Sequence, residues 1–227
     1  MKAIFDKFSV TFFVFLILAI VLTKVPIVGN YVQIINTVIH ESGHALIALL
    51  GGKVEKISLF VNTEGVTYST QSTWAGAFFT SLAGYVFSSL MAFLAFWLIG
   101  KKYYRILISL LLILIGLNLG LWVRNGYGVF WLTTFAAGFI LLLFKGSPSF
   151  INTVLLLIAS ILLVVSITSS YDIMIISFIR PESAGDAGNL GKLTKFLPVQ
   201  FWGIFFFLQA IWFSWMGVKK GIFKLEK

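Results

Sequence analysis

The chain has no cysteine, only two histidines and only eight acidic residues among its 227. Without cysteine there are no disulfides and no thiolate ligands, so any metal site has to be built from nitrogen and oxygen. Charged side chains make up 11% of the sequence, where an ordinary soluble domain carries about 25%. The longest polar stretches, near 53–73 and 169–197, are too short for a soluble domain.

Apolar residues, at 59%, fill the space that charge leaves, and the mean hydropathy is +0.99. Such a chain reads as a multi-pass integral membrane protein, expected in the cell membrane with the lipid bilayer as its solvent. Apolar runs of about twenty residues fall near 8–29, 31–50, 75–99, 104–123, 128–144, 150–168 and 199–218. The expected fold is therefore all-α, a bundle of about seven transmembrane helices forming a single membrane-embedded domain over 1–227. The first run, flanked by Lys2, Asp6 and Lys7, is longer than the apolar part of a signal peptide. No small-x-small cleavage site follows it, so it reads as a retained helix.

A net charge of +9 would suggest nucleic acid in a soluble protein. Here the basic residues sit at span ends, as in Lys101, Lys102, Arg105, Lys145, Lys219 and Lys220, and read as headgroup anchors; no nucleic-acid partner is expected. Seven spans place the termini on opposite faces. The basic residues divide almost evenly between those faces, so they do not orient the chain.

Both histidines belong to His40-Glu41-Ser42-Gly43-His44. On a helix, the i, i+4 spacing stacks the two imidazoles on one face, where they can share a metal ion. Glu41 directly follows the first histidine, where its carboxylate reaches the water a metal activates rather than the metal itself. The five residues read as a zinc hydrolase site. Because they lie in an apolar run, their helix has to face the bundle interior or a water-filled cavity.

A catalytic zinc needs a third protein ligand. Apart from Glu41, the acidic residues are Asp6, Glu55, Glu64, Asp172, Glu182, Asp186 and Glu226. Asp6 and Glu226 lie near the termini, and Glu55 and Glu64 lie in a segment that reads as a hairpin. Asp172, Glu182 and Asp186 remain. If the motif helix leaves the membrane at Gly51-Gly52, four further spans return the chain to the same face near residue 170. The 169–197 loop then shares a side with the motif. Its small residues around Gly185-Asp186-Ala187-Gly188 suit irregular backbone lining a cavity, which favours Asp186 modestly over Glu182.

Segment 53–70 alternates like strands: Val54, Ile57, Leu59 and Val61 precede Asn62-Thr63-Glu64-Gly65, and Val66, Thr67 and Tyr68 follow. It reads as a short β-hairpin-like element after the HExxH helix. Gly116 and Gly120, spaced as GxxxG around Asn118, read as a close helix-packing face. Arg124 and Asn125 read as ordinary loop residues.

The run Asn36-Thr37-Val38-Ile39-His40-Glu41-Ser42-Gly43-His44-Ala45, followed by Gly51-Gly52 and a β-like segment, resembles the site-2 protease family of intramembrane zinc metalloproteases, in particular its M50B-like branch. Gly185-Asp186-Ala187-Gly188-Asn189-Leu190, leading to Pro198 and Trp202-Gly203, resembles that family's second motif. The resemblance implies one Zn2+ per chain on His40, His44 and Asp186, with Glu41 as the catalytic general base. It also implies a membrane-protein or peptide substrate, cleaved in or near a transmembrane segment and offered a β edge by the hairpin, with the site opening to the cytoplasmic face. Two departures stand out: Ala187 follows Asp186 where a glycine is usual, and no PDZ or CBS module is present. Two other readings fit the sequence: a non-proteolytic membrane scaffold of the same fold, or a metal transporter using the histidine pair. The second conflicts with the confinement of intramembrane charge to one motif and one loop.

Overall fold

A computed structural model describes residues 10–221. Asp6 with its flanking Lys2 and Lys7, the start of the first expected span, and Glu226 lie outside them.

Two helices, α1 (Val10–Lys24) and α2 (Val28–Ala48), open the described chain and meet at a bend of 107°. The cause is local. Pro26 has no N–H to continue the ladder and disfavours a helical residue before it, and Ile27 takes a positive φ of 66°. Gln33 stabilises the corner by donating from Nε2 to the Thr23 carbonyl at 3.0 Å and the Gly29 carbonyl at 3.1 Å.

A hairpin follows, β1 (Gly52–Leu59) antiparallel to β2 (Gly65–Gln71), with a bulge between Val54 and Lys56. Then come α3 (Trp74–Gly100), α4 (Tyr104–Leu117, extended by a π turn over Asn118–Trp122) and α5 (Gly126–Lys145). The chain ends with α6 (Pro148–Ile179), the short α7 (Gly185–Thr194) and α8 (Val199–Gly221). Thr73 caps α3 by accepting from the Gly76 N–H at 3.0 Å, and Ser147 with Pro148 opens α6.

Five helices among the described residues are long and apolar enough to cross a membrane, six if the bent α1–α2 pair counts as one span. The expected seven are corrected to this number because 8–29 and 31–50 are one chain folded back at Pro26. The expected 150–168 span and 169–197 loop are corrected as well. Tyr171–Ile179 is apolar apart from Asp172 and Ser177, so α6 runs on until Pro181 stops it, and α7 occupies much of the remaining loop.

The two ends of the described chain lie close together. Phe12 packs edge-on against Phe96 with ring centroids 5.7 Å apart, and the Gly217 backbone lies against Phe93. Both ends of the described chain thus gather at the Phe93–Gly100 end of α3, away from the hairpin.

Of the five helices long and apolar enough to cross a membrane, α3 and α6 are the most enclosed, while α4, α5 and α8 are more exposed. The core includes Ile34, Ile39, Phe96, Leu107, Ile108, Trp131 and Leu155, all essentially buried. Outward-facing Leu, Ile and Phe cover the helix surfaces, as lipid contact requires. Gly116 and Gly120 are on this outer surface, where a Cβ would meet no atom within 4 Å, so within the chain they pack no helix.

The α4–α5 connection is structural rather than an ordinary loop. Val123 forms a parallel bridge with Ile57, and the Asn125 side chain brackets Leu59, accepting from its N–H at 3.1 Å and donating to its carbonyl at 2.6 Å. The Arg124 guanidinium donates to the Leu119, Gly120 and Val123 carbonyls that end the π turn. Together these contacts occupy the outer edge of β1 and leave that of β2 without a partner strand among the described residues.

Candidate metal centre

Helix α2 carries His40 and His44 one turn apart, their rings edge-to-face with centroids 4.7 Å apart and their Nε2 atoms 3.0 Å apart. His44 is buried, and its Nδ1 lies 2.6 Å from the Thr80 carbonyl on α3. A carbonyl only accepts, so Nδ1 carries the proton and the Nε2 lone pair points into the site. This is the usual outer partner of a ligating histidine. The His40 ring meets Tyr85 edge-on at 4.7 Å and 90°.

The third group arrives from the far end of the sequence. Asp186 lies in the first turn of α7, and its Oδ2 is 3.2 Å from the Nε2 of both His40 and His44. What holds α7 there is a small apolar cluster: Ala184, Ala187 and Leu190 pack with Ile173 of α6 and Trp202 and Phe206 of α8. Small side chains at 184 and 187 let the helix end approach the bundle closely. Helix α7 is too short to be a span.

One ligand atom from each of the three residues falls within a 4.8 Å group. Asp172 and Glu182, the alternatives in the sequence, are exposed and outside it, as are Glu55 and Glu64. Two nitrogens and one oxygen suit zinc, and three protein ligands leave a coordination position open. The site makes room for them through Gly84 on α3. A Cβ there would overlap the Nε2 atoms of both histidines.

Glu41 is 4% exposed and turns from the histidines toward the hairpin. Its Oε2 accepts a hydrogen bond from the Thr67 hydroxyl on β2 at 2.6 Å. Beside Thr67, Gly65 lies so near that an added Cβ would come within 2.7 Å of Oε1 and Cγ of Glu41. Thus β2 forms one wall of the site. The sequence carried no sign of the roles of Gly65, Thr67, Thr80 or Gly84, since each contact is made between separate elements. A cavity of about 590 Å³ joins these groups, lined by His40, Glu41, His44, Thr67, Asp186 and Asn189.

A family model described as Peptidase M50B-like matches residues 13–217. No curated protein and no solved structure matches the chain.

Proposed function

The chain belongs to the M50B-like peptidase family, and on that premise we propose that it is a zinc endopeptidase cleaving peptide bonds in or near transmembrane segments. The observation that carries the reading is the convergence of His40, His44 and Asp186 beside the buried carboxylate of Glu41. His40, His44 and Asp186 would hold one zinc ion. When bound, zinc supplies Lewis acidity, polarising the scissile carbonyl and bringing the pKa of water toward neutrality.

The remaining steps belong to the chain itself. Glu41 takes a proton from the attacking water and later passes it to the leaving amine. Thr67, donating to Oε2, fixes one carboxylate oxygen and leaves Oε1 to take the proton. Thr80 holds His44 in the tautomer that ligation needs. The outer edge of β2 accepts an extended substrate segment as an added strand, binding it through main-chain hydrogen bonds largely independent of sequence. Asn125 and Val123 close the other edge of the hairpin.

The test is Glu41→Gln in proteoliposomes carrying a panel of single-span membrane proteins. The expected result is about one zinc per chain with no cleavage of any panel member that the wild type cuts. Cleavage persisting at the wild-type rate would overturn the assignment of the base. Failure of the wild type to cut any panel member while zinc is bound would favour the scaffold reading.

A further inference from the structure

A second cavity, of about 530 Å³, opens between α2, α5 and α6, with Leu22 of α1 at its edge. Its walls are apolar, including Val32 and Ile35 of α2, Phe139 of α5, and Leu157 and Ile158 of α6. Its size is within the range that takes a single small ligand, roughly 300–1,000 Å³.

The polar groups of this cleft lie at its two ends. At the inner end the Tyr31 and Thr134 hydroxyls satisfy each other at 2.6 Å. At the outer end is Lys145, the last residue of α5, exposed and with no ion-pair partner among the described residues. The first turn of α6 follows immediately, adding the positive end of a helix dipole. Thr134 and Lys145 are eleven positions apart on one helix, about 16 Å. That is the depth of one leaflet of a hydrocarbon core about 30 Å thick.

An apolar slot one leaflet deep, with a cation at headgroup level, matches the shape and charge of one lipid. We propose that this cleft binds an acyl chain of an anionic glycerophospholipid, with Lys145 set against the net negative charge of its headgroup. The occupant lies against α2 on a different face from the one that presents His40 and His44, so lipid and candidate centre share a helix without sharing a cavity.

Gly138 supplies the decisive variant. It lines the cleft, and a Cβ built there meets nothing within 4 Å, so the first carbon of a larger side chain is free of the bundle and the indole of Gly138→Trp would obstruct the slot. Full-length wild type, Lys145→Gln, Gly138→Trp and the milder Gly138→Leu are delipidated in detergent. Each is titrated with dioleoylphosphatidylglycerol or dioleoylphosphatidylcholine, binding is read by native mass spectrometry, and thermal unfolding confirms that each variant is folded. Wild type is expected to prefer the anionic lipid, and Lys145→Gln to weaken that lipid about fivefold while leaving the zwitterionic one unchanged. Gly138→Trp is expected to abolish binding of both, and Gly138→Leu to weaken both. Wild-type affinity in the folded Gly138 variants would overturn the cleft as the site. Equal affinity of wild type for the two lipids would overturn the role of Lys145.

Discussion

Substituting Gly84 by alanine separates the demands of the helix from those of the candidate centre. In the middle of α3, alanine favours helix over glycine by roughly 0.5–1 kcal/mol, so the backbone gains. The added carbon, however, would stand 2.5 Å from His44 Nε2, inside the shortest ordinary contact of 3.4 Å by about 0.9 Å. The imidazoles have to withdraw by that much. Zinc–nitrogen bonds of about 2.0–2.1 Å tolerate only about 0.2 Å of error, so the displaced rings no longer ligate together. Zinc affinity is expected to fall by about 100-fold or more, at or beyond the upper end of what disturbing a ligand's outer partner does. The assay is chelator competition with elemental analysis of purified protein. Gly116→Ala serves as the control, because it makes the same change where a Cβ meets nothing within 4 Å, and it should retain wild-type zinc. A Gly84→Ala protein with wild-type zinc affinity would refute the placement of the metal between His40, His44 and α3.

Other expectations follow from the same geometry. His44→Ala and Asp186→Ala should each lose the metal, whereas Glu182→Ala, on an exposed turn outside the group, should keep about one zinc per chain, all read by elemental analysis. Thr67→Val removes the hydroxyl that donates to Glu41. It should lower kcat about tenfold or more with zinc content unchanged, measured on any substrate that the wild type cleaves. Asn125→Ala frees the end of β1 and should raise amide exchange at Leu59 and across the hairpin without unfolding the helices.

The parts of the fold visible in the sequence were those governed by short-range periodicity. The i, i+4 spacing of His40 and His44 needs only a helix, and the alternation over 53–70 needs only a strand. The bend at α1–α2 falls at Pro26, near the end of the first of two apolar runs; hydropathy reports burial in lipid and says nothing about direction. Helix α6 hid its length because Thr168-Ser169-Ser170-Tyr171-Asp172 interrupts its apolar stretch, and a short polar run does not end a helix. Among Asp172, Glu182 and Asp186, the small residues around Asp186 favoured it only modestly as the residue that meets the histidines. That meeting depends on how α7 docks through Ala184, Ala187 and Leu190, a matter of packing between distant segments. Thr67 illustrates the same limit, since a threonine in a polar strand becomes a partner of Glu41 only when the hairpin folds back over α2.

The two halves of the candidate centre are 142 positions apart in the chain, His44 on the second helix and Asp186 on the seventh. At synthesis rates of roughly 5–20 residues per second, about 7–28 s pass between the emergence of one and of the other. During that interval four membrane-crossing helices have to be inserted, and the histidine pair exists without its carboxylate. A nascent or truncated chain therefore has no complete site, and the centre closes only when α7 docks, late in the assembly of the protein in its membrane.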